Sequence, residues 1–274
     1  MVILKEMNYI VFRNRGRTAL SVCIAALLVC CMSFYLGSIQ TAESAEENLA
    51  QVIPVTAQVV SRSGARTVGF EIDENHFANL MKADIKDAVY TASACANFQE
   101  QYRAEDVQGA DTSVTAVSGL SALVGVTEES IAFENGYDLS FLENAEPLCV
   151  VSQSYAAQYG LNSGDTLSMP FYVTRYNDDG FSLRYEHLGM QGVKIIGVYA
   201  DSASGSAVPC SMIVSVPWLQ TVVKENNLRF YYSSFRCALR DPMKLNDFKD
   251  AMRGAGFAKP DPNALDERHG DTLV

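Results

Sequence analysis

No charged side chain occurs between Thr18 and Gln40. The apolar stretch TALSVCIAALLVCCMSFYLGSI, Thr18 to Ile39, has 22 residues, and a helix of about 20 crosses the hydrocarbon core of a bilayer. A helix of that length with no polar face is not the core helix of a soluble domain. Lys5, Arg13, Arg15 and Arg17 precede the stretch against Glu6, a net of +3, while the whole chain carries −11. The residues beyond Gln40 therefore carry −14. A basic tip, a neutral span and an acidic body define a membrane topology. The positive-inside rule puts the N-terminus in the cytoplasm and the body outside the cell membrane. The small residues of TAESA, 41–45, offer a signal cleavage site. A signal's apolar region, however, is usually about 7–15 residues, and the greater length here favours an uncleaved anchor. Either way the body is exported. No second apolar run is long enough to span. An acidic body also argues against nucleic acid, whose phosphates need a basic patch.

Residues 1–17 form their own segment. Ile3, Met7, Ile10 and Val11 recur at helical spacing, with Lys5, Asn8 and Arg13 mostly elsewhere, which predicts a short helix lying on the inner leaflet. Gly16 marks a break before the membrane helix at 18–40. The alternative is simply the first turns of that helix.

The body reads as α+β, with many short strands, few helices and no strict βαβ alternation. Strands are expected at 53–61, 87–104, 111–130 (two), 193–201 and 230–240. A hairpin is expected over 171–189 around Asn177-Asp-Asp-Gly180, and a strand followed by a helix near Pro217 over 211–223. Further helices are expected at 73–83, with Asp73 as cap, and at 241–257. The stretch CVVSQSYAAQYGLNSGDTLSM, 149–169, reads as a strand, a helix capped by Ser152, a left-handed Gly160 and a tight turn into the next strand. Tyr155, Ala156 and Tyr159 give that helix its packing face.

Chemistry is hard to find. The chain has no P-loop, GxGxxG, GxSxG, HExxH or SxxK pattern. The Ser163-Gly-Asp165 word suits a turn better than a nucleophile, because the nearest histidine in sequence, His187, lies in another hairpin. His76, His187 and His269 lack metal-ligand spacing. The carboxylate pairs Asp73/Glu74 and Asp178/Asp179 read as solvated surface acids. Cys23, Cys30 and Cys31 lie in the membrane span. Cys95, Cys149, Cys210 and Cys237 lie in the body, where three pairings or free thiols are open. No catalytic, cofactor-binding or metal-binding residue is expected, and the protein is not expected to be an enzyme.

The 149–169 stretch resembles the strand, helix, Gly-Leu-x-x-Gly-Asp, strand signature of the extracytoplasmic domain of MacB/FtsX-like ABC transporter permeases. It is carried here by Gly160, Leu161, Gly164 and Asp165. NYIVFRNRGRTALSVCIAAL (8–27), VKIIGVYAD (193–201) and SMIVSVPWLQ (211–220) resemble the family's opening and the elements after the signature, in the same order. The resemblance runs from about residue 5 to about 258.

The resemblance implies a permease subunit, or a fragment of one. Its partners would be a cytoplasmic ABC ATPase that binds the ATP, a second permease copy forming a dimer, and an envelope protein or peptide. Its outer domain would pass on ATPase-driven motion, called mechanotransmission, to export or to envelope partners. It also implies two lobes: a membrane-proximal α+β, porter-like lobe at 45–112 and 226–262, and an inserted β-rich lobe at 113–225. Residues 263–274 would lead to a second membrane helix, one of three that family members carry after the domain and that this sequence lacks. The lobe split pairs Cys95 with Cys237 and Cys149 with Cys210, if disulfides form. The competing reading is a single-pass anchored extracytoplasmic binding or sensor module.

Overall fold

The computed structural model of the protein describes residues 15–52, 54–98, 110–177, 182–201, 210–261 and 272–273. Two compact units make up the chain, Met1–Pro54 and Val55–Val274. The first holds helix α1, Arg15–Val52. Its 38 residues extend about 57 Å at 1.5 Å each, roughly 27 Å more than a hydrocarbon core of about 30 Å. The window Ala19–Ala45 is long and apolar enough to cross a membrane. The Ser38 and Thr41 hydroxyls donate to the carbonyls of Phe34 and Gly37 at 2.8 and 2.7 Å, so neither polar group is left unpaired at that depth. Gly16 lies in the first turn of α1 rather than marking a break. Residues 1–14 of the expected interfacial helix lie outside the described residues.

The second unit runs β1 (Thr56–Gln58), β2 (Val60–Ser61), β3 (Ile72–Asp73), α2 (Glu74–Lys82), β4 (Ile85–Ala96), β5 (Thr112–Val117) and β6 (Ile131–Phe133). It continues with β7 (Leu148–Ser152), α3 (Gln153–Tyr159), β8 (Thr166–Tyr176), β9 (Leu183–Tyr199), β10 (Met212–Ser215) and α4 (Val216–Glu225). It closes with β11 (Tyr231–Tyr232), β12 (Ser234–Leu239), α5 (Leu245–Gly254) and β13 (Thr272–Leu273). This is the expected α+β class: an apolar N-terminal helix followed by a sheet-rich domain.

The main sheet closes on itself. β4 pairs with β5, β5 with β10, β10 with β7, β7 with β9, β9 with β8, and β8 returns to β4 through Cys95↔Tyr172 and Ala96↔Phe171. β1 and β12 extend the first half of β4, and β6 flanks the end of β9. β3–β11 and β2–β13 form two small ladders. Strands from both segments expected as lobes thus share one sheet.

Period-two alternation sorts the side chains into two clusters. Ala92, Ala94, Ala96, Cys149, Val151, Ile195, Met212 and Val214 share one cluster with Trp218, Leu219, Val222 and Val223 of α4. Val150, Ile196, Tyr199 and Ile213 face the other way, against Phe141 and Leu142. Because both faces are covered, β7 is buried at every position and reads in sequence as a continuous apolar run.

Several expected elements differ. Residues 121–130 form no strand: two 3-10 turns, Leu120–Ala122 and Glu128–Ser130, flank Gly125 at φ +81°. Leu120, Ala122 and Leu123 pack on the second cluster, so this apolar run covers the sheet instead of joining it. Residues 230–240 split into β11 and β12, which belong to different sheets. The second hairpin arm and the 193–201 strand are one strand, β9. The 53–61 strand breaks into β1 and β2, and the 241–257 helix opens with a 3-10 turn at Pro242–Lys244. The 87–104 strand is β4, and its residues beyond 98 lie outside the described ones, as do Asp178, Asp179 and Gly180 of the hairpin turn.

Candidate functional site

The signature folds as its residue types dictate. Ser152 accepts a hydrogen bond from the Tyr155 amide and starts α3; Asp201 accepts from the Ser154 amide at 2.9 Å. Tyr155 and Ala156 are buried, and the Tyr155 hydroxyl lies 2.7 Å from that of Thr112. Gly160 takes the left-handed conformation, φ 66° and ψ 34°. The Leu161 amide donates to the Ala156 carbonyl at 2.9 Å, the six-to-one bond of a Schellman cap.

The turn then docks on β9. The Asp165 carboxylate accepts from the Asn162 amide at 2.7 Å. The Gly164 amide donates to the Ile195 carbonyl, and the Ile195 amide to the Asp165 carbonyl, both at 2.8 Å. Gly164 sits at φ +96°, and a Cβ there would lie 3.4 Å from Glu134 Oε1. Glu134 is paired with Lys194 at 2.9 Å. The Lys194 ammonium also donates to the Tyr137 hydroxyl at 3.2 Å and lies 4.8 Å from the centre of its ring. The Glu134 hydrogen bond, then Tyr137, raises the Lys194 pKa. The four signature residues and this Glu134–Lys194–Tyr137 cluster form one fastening between β7–α3–β8 and β9. Glu134 and Lys194 are far apart in sequence, and only the register of β9 brings them together.

The arrangement supports no nucleophile. Thr166 is opposite Lys194 and Tyr172 opposite His187. Seven residues of strand thus separate His187 from the position beside the turn, about 23 Å. His187 lies edge-on to Tyr172, 4.5 Å between ring centres. The Asp73/Glu74 pair is engaged rather than merely solvated. Asp73 caps α2 and pairs with His76 at 2.9 Å, and Glu74 binds Lys224 at 2.7 Å and Gln220 at 2.8 Å. Among the described residues, no three His, Cys, Asp or Glu side chains gather as a metal site.

The expected disulfide pairings do not form. Cys95, Cys149, Cys210 and Cys237 are free. Cys237 occupies a bulge between Arg236↔Val89 and Ala238↔Lys86, so Cys95 lies at least six residues further along β4, roughly 20 Å away. Cys149 is opposite Val214; Cys210 lies four residues further, roughly 13 Å along the ladder. A disulfide needs Cα atoms within about 7 Å. Each pair falls within one of the lobes that the resemblance implies, but its two cysteines lie too far apart along the strands to bond.

No family model and no curated protein matches the chain. Solved structures similar to it include the following two. One is a domain of a protein described as a permease, from Porphyromonas gingivalis, at 16% identity and TM-score 0.36, covering 73% of this chain and 82% of that one. The other is the periplasmic region of MacB from Actinobacillus actinomycetemcomitans, at 11% identity and TM-score 0.41, covering 80% and 86%.

Proposed function

We propose that this chain is a permease-type subunit of a MacB/FtsX-like ABC transporter, held in the cell membrane by α1 with its N-terminus in the cytoplasm and the Val55–Val274 unit outside. The observation that carries the reading is the folded signature. Gly160, Leu161, Gly164 and Asp165 form a helix stop and docked turn behind a single apolar helix with a basic leading flank. On this reading the chain performs no catalysis and binds no nucleotide itself. A cytoplasmic ATPase binds ATP, a second permease copy completes a dimer, and the outer unit passes motion to an envelope protein or peptide. The division into 45–112 with 226–262 and 113–225 belongs to the same proposal. Movement between those segments would load the six-pair β4–β5 ladder and the two-pair β4–β8 contact.

Isolation of the tagged full chain from its host's membranes in mild detergent, followed by mass spectrometry, tests the proposal. An ABC ATPase in near-stoichiometric amount is expected. Recovery of the chain without an ATPase would replace it with the anchored binding or sensor module. Added protease should cleave the body in intact cells; protection there would overturn the orientation.

A further inference from the structure

The surface around α5 is concave and sorted by charge. On one flank lies a groove of about 200 Å³ with a floor of Phe248, Met252 and Phe257 and a rim of Lys249, Arg253 and Lys259. A second hollow of about 300 Å³ adjoins it at Met252 and carries Lys82 on its edge. A neighbouring hollow, which shares Phe248 with the groove, holds Asp84, Asp241 and Asp247, with Lys244. Arg253 is paired with Asp250 at 2.9 Å. Lys82, Lys249 and Lys259 have no ion-pair partner among the described residues. Lysines with no ion-pair partner among the described residues stand out around an apolar floor in a chain of net −11.

We propose that this groove docks an acidic peptide segment of another protein, an apolar side chain filling the floor and flanking carboxylates meeting the lysine rim. Charge complementarity selects the acid, and the recessed floor selects a peptide over a bilayer surface. Phe248, Met252 and Phe257 are buried, whereas interfacial membrane binding needs apolar side chains that protrude. The inference does not depend on the permease reading, since it rests on the α5 surface alone.

The test uses the full chain in zwitterionic nanodiscs to select from a displayed library of random dodecapeptides. Selected peptides should be enriched in Asp and Glu around a Leu, Ile or Phe. A synthetic copy of the most enriched peptide, followed by fluorescence anisotropy, should bind wild type at least tenfold more tightly than K249E/K259E, and more weakly as salt rises. K249R/K259R should keep the binding, and both variants should show the wild-type unfolding midpoint, because these lysines are exposed. No enrichment, enrichment without acidic residues, or equal affinity for wild type and K249E/K259E would each overturn the proposal. So would binding of anionic vesicles with no peptide selected.

Discussion

Gly160 and Gly164 are constrained for different reasons. Gly160 has open space where a Cβ would stand but a left-handed backbone, so Gly160→Ala should cost about 1–2 kcal/mol, with Asn less costly. Gly164→Ala adds contact with Glu134 to the backbone strain and should cost more than Gly160→Ala. Trp218, the only tryptophan, is buried and edge-on to Phe171 at 5.5 Å, so its fluorescence during urea unfolding reports both. The cysteines make a second prediction at this scale. Burial raises the Cys95 and Cys237 thiols from 9.0 to about 11 and raises Cys149 further. At pH 8, iodoacetamide should modify these three only after unfolding, and oxidation should yield neither a Cys95–Cys237 nor a Cys149–Cys210 crosslink. Rapid alkylation of the folded chain would contradict this. The left-handed Gly160 was legible because a helix stop requires a local conformation. The thiol pairings were not, because distance along a ladder is invisible before register is known.

Among the elements, α4 starts from a fully buried cap. Ser215 is fully buried; its hydroxyl donates to the Asn144 carbonyl at 2.6 Å and accepts from the Trp218 amide at 3.2 Å. Ser215→Ala removes the cap and the hydroxyl bound to the Asn144 carbonyl, which should cost about 1 kcal/mol. A loss below about 0.5 kcal/mol would show that the cap is dispensable. The strand-Pro-helix pattern at Pro217 announced this element. The 121–130 segment misled for an equally physical reason. An apolar run can build a sheet or lie across one, and periodicity does not separate the two when the run is short. Likewise, Ser233 divides β11 from β12, and nothing local in FYYSSFRCALR signals that its halves join different ladders.

Across the whole unit, the ring of strands is unevenly sewn. β4 and β8 share two residue pairs, whereas β8 and β9 share ten. Hydrogen exchange should open the Cys95–Tyr172 seam before the β8–β9 ladder; equal protection would mean that the ring opens only by global unfolding. Stability should also fall on the alkaline side. Burial raises Tyr232 to about 12 and pushes Tyr155 and Tyr199 up as well, alongside the thiols. Groups that stay protonated in the fold but ionise when unfolded contribute stability that is fully present below about pH 9. It is lost as pH rises through about 11 and 12. Urea midpoints from pH 7 to 11 should therefore decline above 9, and a flat profile would refute the burial of these groups.

By itself the sequence determined the long apolar helix, the α+β class, the capped α3 with its glycine stop, and the docked turn's residue types. All of these depend on neighbours within a few positions along the chain. Only the tertiary structure decided the closed ring, the free thiols, the Glu134–Lys194–Tyr137 fastening and the charge-sorted grooves around α5. Those depend on register and on which faces meet, and residues far apart in sequence carry no local sign of that.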